Sequence, residues 1–176
     1  SAIQYYYMAL KGVSNLSEAH QNLGLLLDLK GLKNEAIYHH YQATQTSNNP
    51  IFKSNSINNL ANLLLNNLSN KNINGIQPIL SLLEQARLLD HYNTNIAMTA
   101  AFSYIEIGNL DEALFVLTDI VRFMNPNHAL ALLNIGNYYF KLNDFESAIA
   151  FYHNALSNNY NNDNNDKLMY LYNNMG

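Results

Sequence analysis

The chain has no cysteine, which excludes a disulfide framework and a thiolate metal site. That lack fits a cytoplasmic or nuclear protein. Charge is scarce: charged residues make up 12% of the sequence, about half the usual share of a globular domain. Nine lysines and arginines stand against 13 aspartates and glutamates, a formal net charge of -4. They form no cationic cluster of the kind that neutralises nucleic-acid phosphates, so no nucleic-acid partner is expected. No apolar run approaches the roughly 20 residues of a membrane span. The opening SAIQYYYMALKG lacks the basic start and apolar core of a signal peptide.

What the chain does have is apolar residues, 48% of 176, enough for a sizeable core. Its polar surface comes from asparagine, about thirty residues, far above average usage.

These residues recur in a pattern. AHQNLGLLL, INNLANLLL and LLNIGNYYF each carry an asparagine, an apolar residue and then a glycine or alanine. A second phrase follows some of them: GLKNEAIYHHYQA, GNLDEALFVLTDI and LNDFESAIAFYHNA, with Ala36, Ala113 and Ala148 at matching places. The phrases resemble the tetratricopeptide repeat, a helix–turn–helix unit of about 34 residues. Leu23-Gly24 with Leu27, then Ala36, His40 and Ala43, form one unit. Ile135-Gly136 with Tyr139, then Ala148, Tyr152 and Ala155, form another. Ala100-Ala101 with Tyr104 leads to Ala113, Leu117 and Ile120; Leu60-Ala61 with Leu64 leads to Ile79, Leu83 and Ala86. Spacings of three and four put these residues on one helical stripe. Small residues there let helices approach closely while a ring fills the opposite notch.

The resemblance implies an all-α fold, a right-handed superhelix (α-solenoid) of antiparallel pairs with about ten helices. The expected organisation is a single array over 1–176: a half repeat at 1–16, full repeats at 17–50, 54–91, 94–127 and 129–162, and a half repeat at 168–176. Equivalent residues Asn22, Asn59, Thr99, Asn134 and Asn174 are spaced by 37, 40, 35 and 40. Extra residues are expected in turns, at Ser69–Gly75 and Asn161–Asp166. Gly31, Gly75 and Gly108 suit turns with unusual dihedrals, and Pro50, Pro78 and Pro126 suit helix starts or junctions.

In this family the first helices line the concave surface, where extended peptides bind. The position before the Leu-Gly pair there holds Asn22, Asn59, Thr99, Asn134 and Asn174. One turn further come Asn62, Phe102 and Asn137, and Asn58 lies beside the ladder. A carboxamide can pair with both the C=O and the N–H of a passing backbone, so these nine residues form the candidate peptide site. Bridging between neighbouring helices is the competing role for the same amides. The asparagine ladder narrows the resemblance to the superhelical repeats of protein O-linked N-acetylglucosamine transferases, with Thr99 departing from it. The partner expected is a protein or extended peptide held by a non-catalytic scaffold. The alternatives are the substrate-recognition region of such a transferase, its catalytic domain on other sequence, and an architectural segment self-associating through exposed terminal half-repeats.

Binding of a chaperone C-terminal carboxylate is argued against. The clamp positions Gln21, Leu25, Asn59, Asn95 and Thr99, or one unit on Asn58, Asn62, Thr99, Leu130 and Asn134, hold no cation. No catalytic motif, cofactor fingerprint or metal-ligand spacing is present. His39 and His40 point about 100° apart on a helix, and His20 and His40 occupy packing positions. Asp111, Glu112, Asp144 and Glu146 stand at the starts of second helices, where carboxylates cap. Tyr104, Tyr139 and Tyr152 fall in packing slots, which leaves Phe102 and Phe140 as ligand-facing aromatics.

Overall fold

The computed structural model describes residues 2–13, 16–68 and 73–157. Its regular structure is helical throughout: α1 (Ala2–Gly12), α2 (Ser17–Leu29), α3 (Lys33–Thr46), α4 (Pro50–Asn67), α5 (Ile73–Leu89), α6 (Thr94–Glu106), α7 (Leu110–Asp119), a π turn (Ile120–Met124), α8 (Ala129–Lys141) and α9 (Phe145–Ser157). The chain divides into two compact units between Ile107 and Gly108.

In the first unit α1 packs on α2, α2 on α3, α3 on α4, α4 on α5, α5 on α6, and α4 also meets α6. Helices joined by three to five residues and in contact along their lengths run antiparallel. One apolar cluster joins Leu23 and Leu27 of α2, Ala36 of α3 and Leu63 of α4, with Ile3, Tyr6 and Leu10 of α1 packed on its flank. A second joins Ile57 and Ala61 of α4 to Ile79, Leu83 and Ala86 of α5 and Ile96 and Ala100 of α6. In the second unit α7 packs on α8 and α8 on α9, around Leu132 and Ala155.

The small residues sit where helices meet. A Cβ added at Gly24 would stand 3.0 Å from the His40 ring, and one at Gly136 would stand 2.6 Å from the Tyr152 ring. Ala36, Ala43, Ala61, Ala86, Ala100, Ala101, Ala148 and Ala155 are fully buried. Ring and glycine therefore form one interlocking pair in two of the expected units.

Asparagine starts several of these helices. Asn49 accepts from the Phe52 N–H at 3.1 Å, Asn93 from Asn95 and Ile96 at 3.2 and 3.3 Å, and Asn109 from Glu112 at 3.5 Å. Each satisfies donors that the first helical turn leaves open. Asp144 does the same for α9, accepting from the Ser147 N–H at 3.1 Å and hydroxyl at 2.7 Å. These bonds hold its carboxyl below the usual carboxylate range. His128 caps α8 through Nδ1, which accepts from the Ala131 N–H at 3.2 Å.

Gly31 and Gly108 take φ of 76° in the turns after α2 and α6, as their sequence context predicts, and Asn143 takes φ of 60° after α8. Gly75 does not: it lies within α5. Pro78, expected at a helix start, is likewise inside that helix, about one and a half turns in. Pro78 lies beyond the first turn, whose N–H groups have no intrahelical acceptors, so it forfeits one backbone bond within α5. Pro50 opens α4, and Pro126 stands in the junction before α8.

Candidate functional site: an amide-lined face on the first helices

Where α4 and α6 meet, they leave a cavity of about 170 Å³. Asn62, Leu65 and Asn66 line it from α4; Thr99, Phe102, Ser103 and Glu106 line it from α6. Three of the expected site residues, Asn62, Thr99 and Phe102, are thereby brought together. The other four were reachable by continuing the same stripes one turn: Leu65 and Asn66 follow Asn62 by three and four, and Ser103 and Glu106 follow Thr99 and Phe102 by four.

The hydrogen bonds decide what each group has left to offer. The Thr99 hydroxyl, 7% exposed, stands 2.9 Å from the Asn95 carbonyl and 3.4 Å from Asn62 Oδ1. Its one proton goes to the shorter, better bond. Among the described residues the Asn62 amide meets only the longer contact, and it lies exposed. Ser103 is fully buried and donates to the Thr99 carbonyl at 2.8 Å. Phe102 is 37% exposed, an unusual position for a large apolar ring.

The remaining site residues are spread more widely. Asn22 is exposed on α2 and Asn59 half-buried on α4. Asn58 is 8% exposed, and its Oδ1 has no hydrogen-bond partner among the described residues. In the second unit, Asn134 donates to the Leu130 carbonyl of its own helix at 2.7 Å, and Asn137 accepts from the Tyr152 hydroxyl at 2.6 Å. Asn174 lies outside the described residues, as does the half repeat expected at 168–176. Phe140 packs edge-on against Phe145 with ring centroids 5.5 Å apart.

Away from this face, three of the six histidines, His20, His39 and His40, are buried on α2 and α3. His20 Nδ1 and His39 Nδ1 are 2.8 Å apart, so one nitrogen must be unprotonated to accept. The Tyr7 and Tyr38 rings stand edge-on to His39. Burial pushes the His39 and His40 imidazoles below their ordinary 6.5. Among the described residues no group of three or more His, Asp or Glu is placed to hold a metal. No described helix is long and apolar enough to cross a membrane.

Comparison with known proteins agrees with this architecture. The model of the tetratricopeptide-repeat family matches residues 129–159. No curated protein matches the chain. The crystal structure of MamA superposes with a TM-score of 0.74 at 20% identity, covering 89% of this chain and 85% of that one. YrrB, described as a TPR protein with an unusual peptide-binding site, gives 0.68 at 21% identity, over 90% and 77% of the two chains. TTC0263, a thermophilic TPR protein of Thermus thermophilus, gives 0.69 at 16% identity, over 98% and 88%. Residues 129–159 thus match a tetratricopeptide repeat in sequence, and the chain shares the all-α tetratricopeptide-repeat fold with these proteins over most of its length.

Proposed function

We infer that the chain is a protein-interaction scaffold that holds an extended polypeptide against the inner faces of its first helices. The observation that carries this reading is the cavity between α4 and α6, where an exposed amide, Asn62, stands beside a part-exposed ring, Phe102. Such a face offers donors and acceptors to a peptide backbone and an apolar wall to its side chains. Asn22, Asn58 and Asn59 on the same unit complete the proposed site. YrrB, a fold relative described as binding peptide, lends support. Neutral amide bonds contribute roughly 0.5–1.5 kcal/mol each, so affinity depends on a long contact or several copies of the ligand.

Thr99 bears on the narrower transferase reading. Where the asparagine ladder would continue, Thr99 spends its hydroxyl on its own helix, and this favours a general scaffold over a substrate arm built on an unbroken ladder.

Peptides selected from a displayed library against the chain provide the test. Replacing Asn62 and Phe102 together with alanine is expected to weaken their binding about tenfold or more. Both side chains are exposed, so unfolding free energy should move by less than about 1 kcal/mol. Selected peptides that bind the double variant as well as the parent would refute the assignment.

A further inference from the structure

In the second unit, two amides one turn apart on α8 are held with opposite polarity. Asn134 Nδ2 donates to the Leu130 carbonyl at 2.7 Å. A carbonyl oxygen can only accept, so the NH2 group must face it and Asn134 Oδ1 points away. Asn137 is turned the other way round. Its Oδ1 accepts from the Tyr152 hydroxyl of α9 at 2.6 Å.

A tyrosine hydroxyl can also accept, so the second orientation needs its own argument. Tyr152 is 2% exposed, and burial pushes its phenol up from the ordinary 10, which keeps the proton in place. A buried O–H requires an acceptor, and Asn137 Oδ1 is the one it has among the described residues. The short separation is that of an O–H···O bond, below the usual length of an N–H···O bond. The ring itself is locked, packed so closely on Gly136 that a Cβ there would stand 2.6 Å from it. Tyr152 therefore fixes which end of the Asn137 amide is left over.

Among the described residues neither Asn134 Oδ1 nor Asn137 Nδ2 has a further partner, and neither is a buried orphan, so both reach solvent. The helix thus offers one acceptor and, a turn later, one donor. Residues three apart on a helix stand about 5–6 Å apart at Cβ. A compact group such as a primary carboxamide does not span them, whereas an extended backbone turns N–H and C=O groups to one edge.

We propose that Asn134 and Asn137 read the edge of an extended polypeptide backbone, Asn134 Oδ1 accepting from an N–H and Asn137 Nδ2 donating to a C=O, with Tyr152 as the positioning residue that sets the polarity at Asn137. The proposal rests on the scaffold reading above and carries it to the second unit, taken by itself.

The capped peptide acetyl-Ser-Thr-Val-Thr-Ser-amide, whose β-branched residues favour extended backbone, is the probe. It is titrated into the nitrogen-15-labelled chain and into Asn134→Asp, Asn137→Asp and Tyr152→Phe. The two aspartate variants add the same charge, and each keeps only acceptors at its position. In the parent the peptide is expected to move the side-chain amide signals of Asn134 and Asn137. Asn134→Asp should bind within about twofold of the parent, while Asn137→Asp, without its donor, should bind about fivefold or more weakly. Tyr152→Phe should weaken binding about two- to fivefold while its circular dichroism stays that of the parent. Unchanged affinity in Tyr152→Phe would reduce Tyr152 to a packing residue and overturn its positioning role. Equal effects of the two aspartate variants would overturn the polarity. Signals moving only on α4 and α6 would overturn a second-unit site and leave the scaffold reading intact; signals moving nowhere would overturn both.

Discussion

Gly136 lacks a side chain because the Tyr152 ring already fills the space one would need, and Gly24 stands in the same relation to His40. The two contacts differ in severity. A methyl at Gly136 would meet ring carbons at 2.6 and 2.7 Å, whereas one at Gly24 would meet the imidazole at 3.0 Å. Alanine also gains about 1 kcal/mol of helix propensity over glycine. Gly136→Ala is therefore expected to cost about 1–3 kcal/mol by overpacking, and Gly24→Ala clearly less, as measured by urea denaturation. At this scale the sequence was readable, because a small residue opposite a ring is a fixed-interval signature that packing enforces. The burial of His39 was not. Its neighbour His40 carries the repeat signature, while His39 is placed by a partner nineteen residues away, His20. Phe102 was singled out by its place on the stripe and lines the cavity, but Glu106 beside the same cavity was not, since at a helix end it reads as ordinary solvated charge.

Helix boundaries follow their chemistry closely. Gly31, Gly108 and Asn143 occupy equivalent turns after α2, α6 and α8, all with positive φ. Asparagine tolerates that region better than most residues, yet it still bears the steric cost that glycine lacks. Asn143→Gly is expected to stabilise the second unit by up to about 1 kcal/mol, seen as a raised urea midpoint with an unchanged slope. Loss of stability would mean that the Asn143 side chain holds the turn in place. The early start of α5 escaped the sequence reading because Gly75 and Pro78 are the usual marks of a break. Only the stack of Ile76, Ile79, Leu80 and Leu83 against the core overrides them. The π turn at Ile120–Met124 has no local signal either, its residues being ordinary helix formers.

Across the molecule, acid sensitivity should come from histidine. Burial holds His39, His40 and His128 below the ordinary 6.5; His20 and His40 reinforce the effect at His39, while Asp28 partly opposes it at His40. As pH falls through 6.5 the unfolded chain takes up protons before the native one does. Stability is therefore full above 6.5 and declines on acidification, by at most about 1.4 kcal/mol per pH unit for each histidine. Denaturant midpoints at pH 7.5 and 5.5 should differ in that direction. His40→Phe should reduce the difference and raise stability at both pH values, since it also removes His40 Nδ1, a buried nitrogen without a hydrogen-bond partner among the described residues. Phenylalanine suits the position better than tyrosine: the Tyr152 hydroxyl finds Asn137, and the corresponding residue beside Gly24 is Leu25, which can accept nothing. An unchanged acid response in His40→Phe would move the origin of the effect to His39 and His128.

The π turn after α7 closes through the Asn125 N–H to the Ile120 carbonyl at 2.8 Å and so takes one residue more than an α turn. Thr99 and Asn134, which flank it, are 35 residues apart, one beyond the family period of about 34. The π turn accommodates one residue within the helical segment rather than in a loop. A π turn holds one residue more than regular helix needs, so removing one residue there should be tolerated. Removing Val121 alone is expected to convert the bulge to regular helix and yield a folded protein with the parental circular dichroism, whereas the same deletion in the middle of α8 would throw Leu132 and Ile135 out of register.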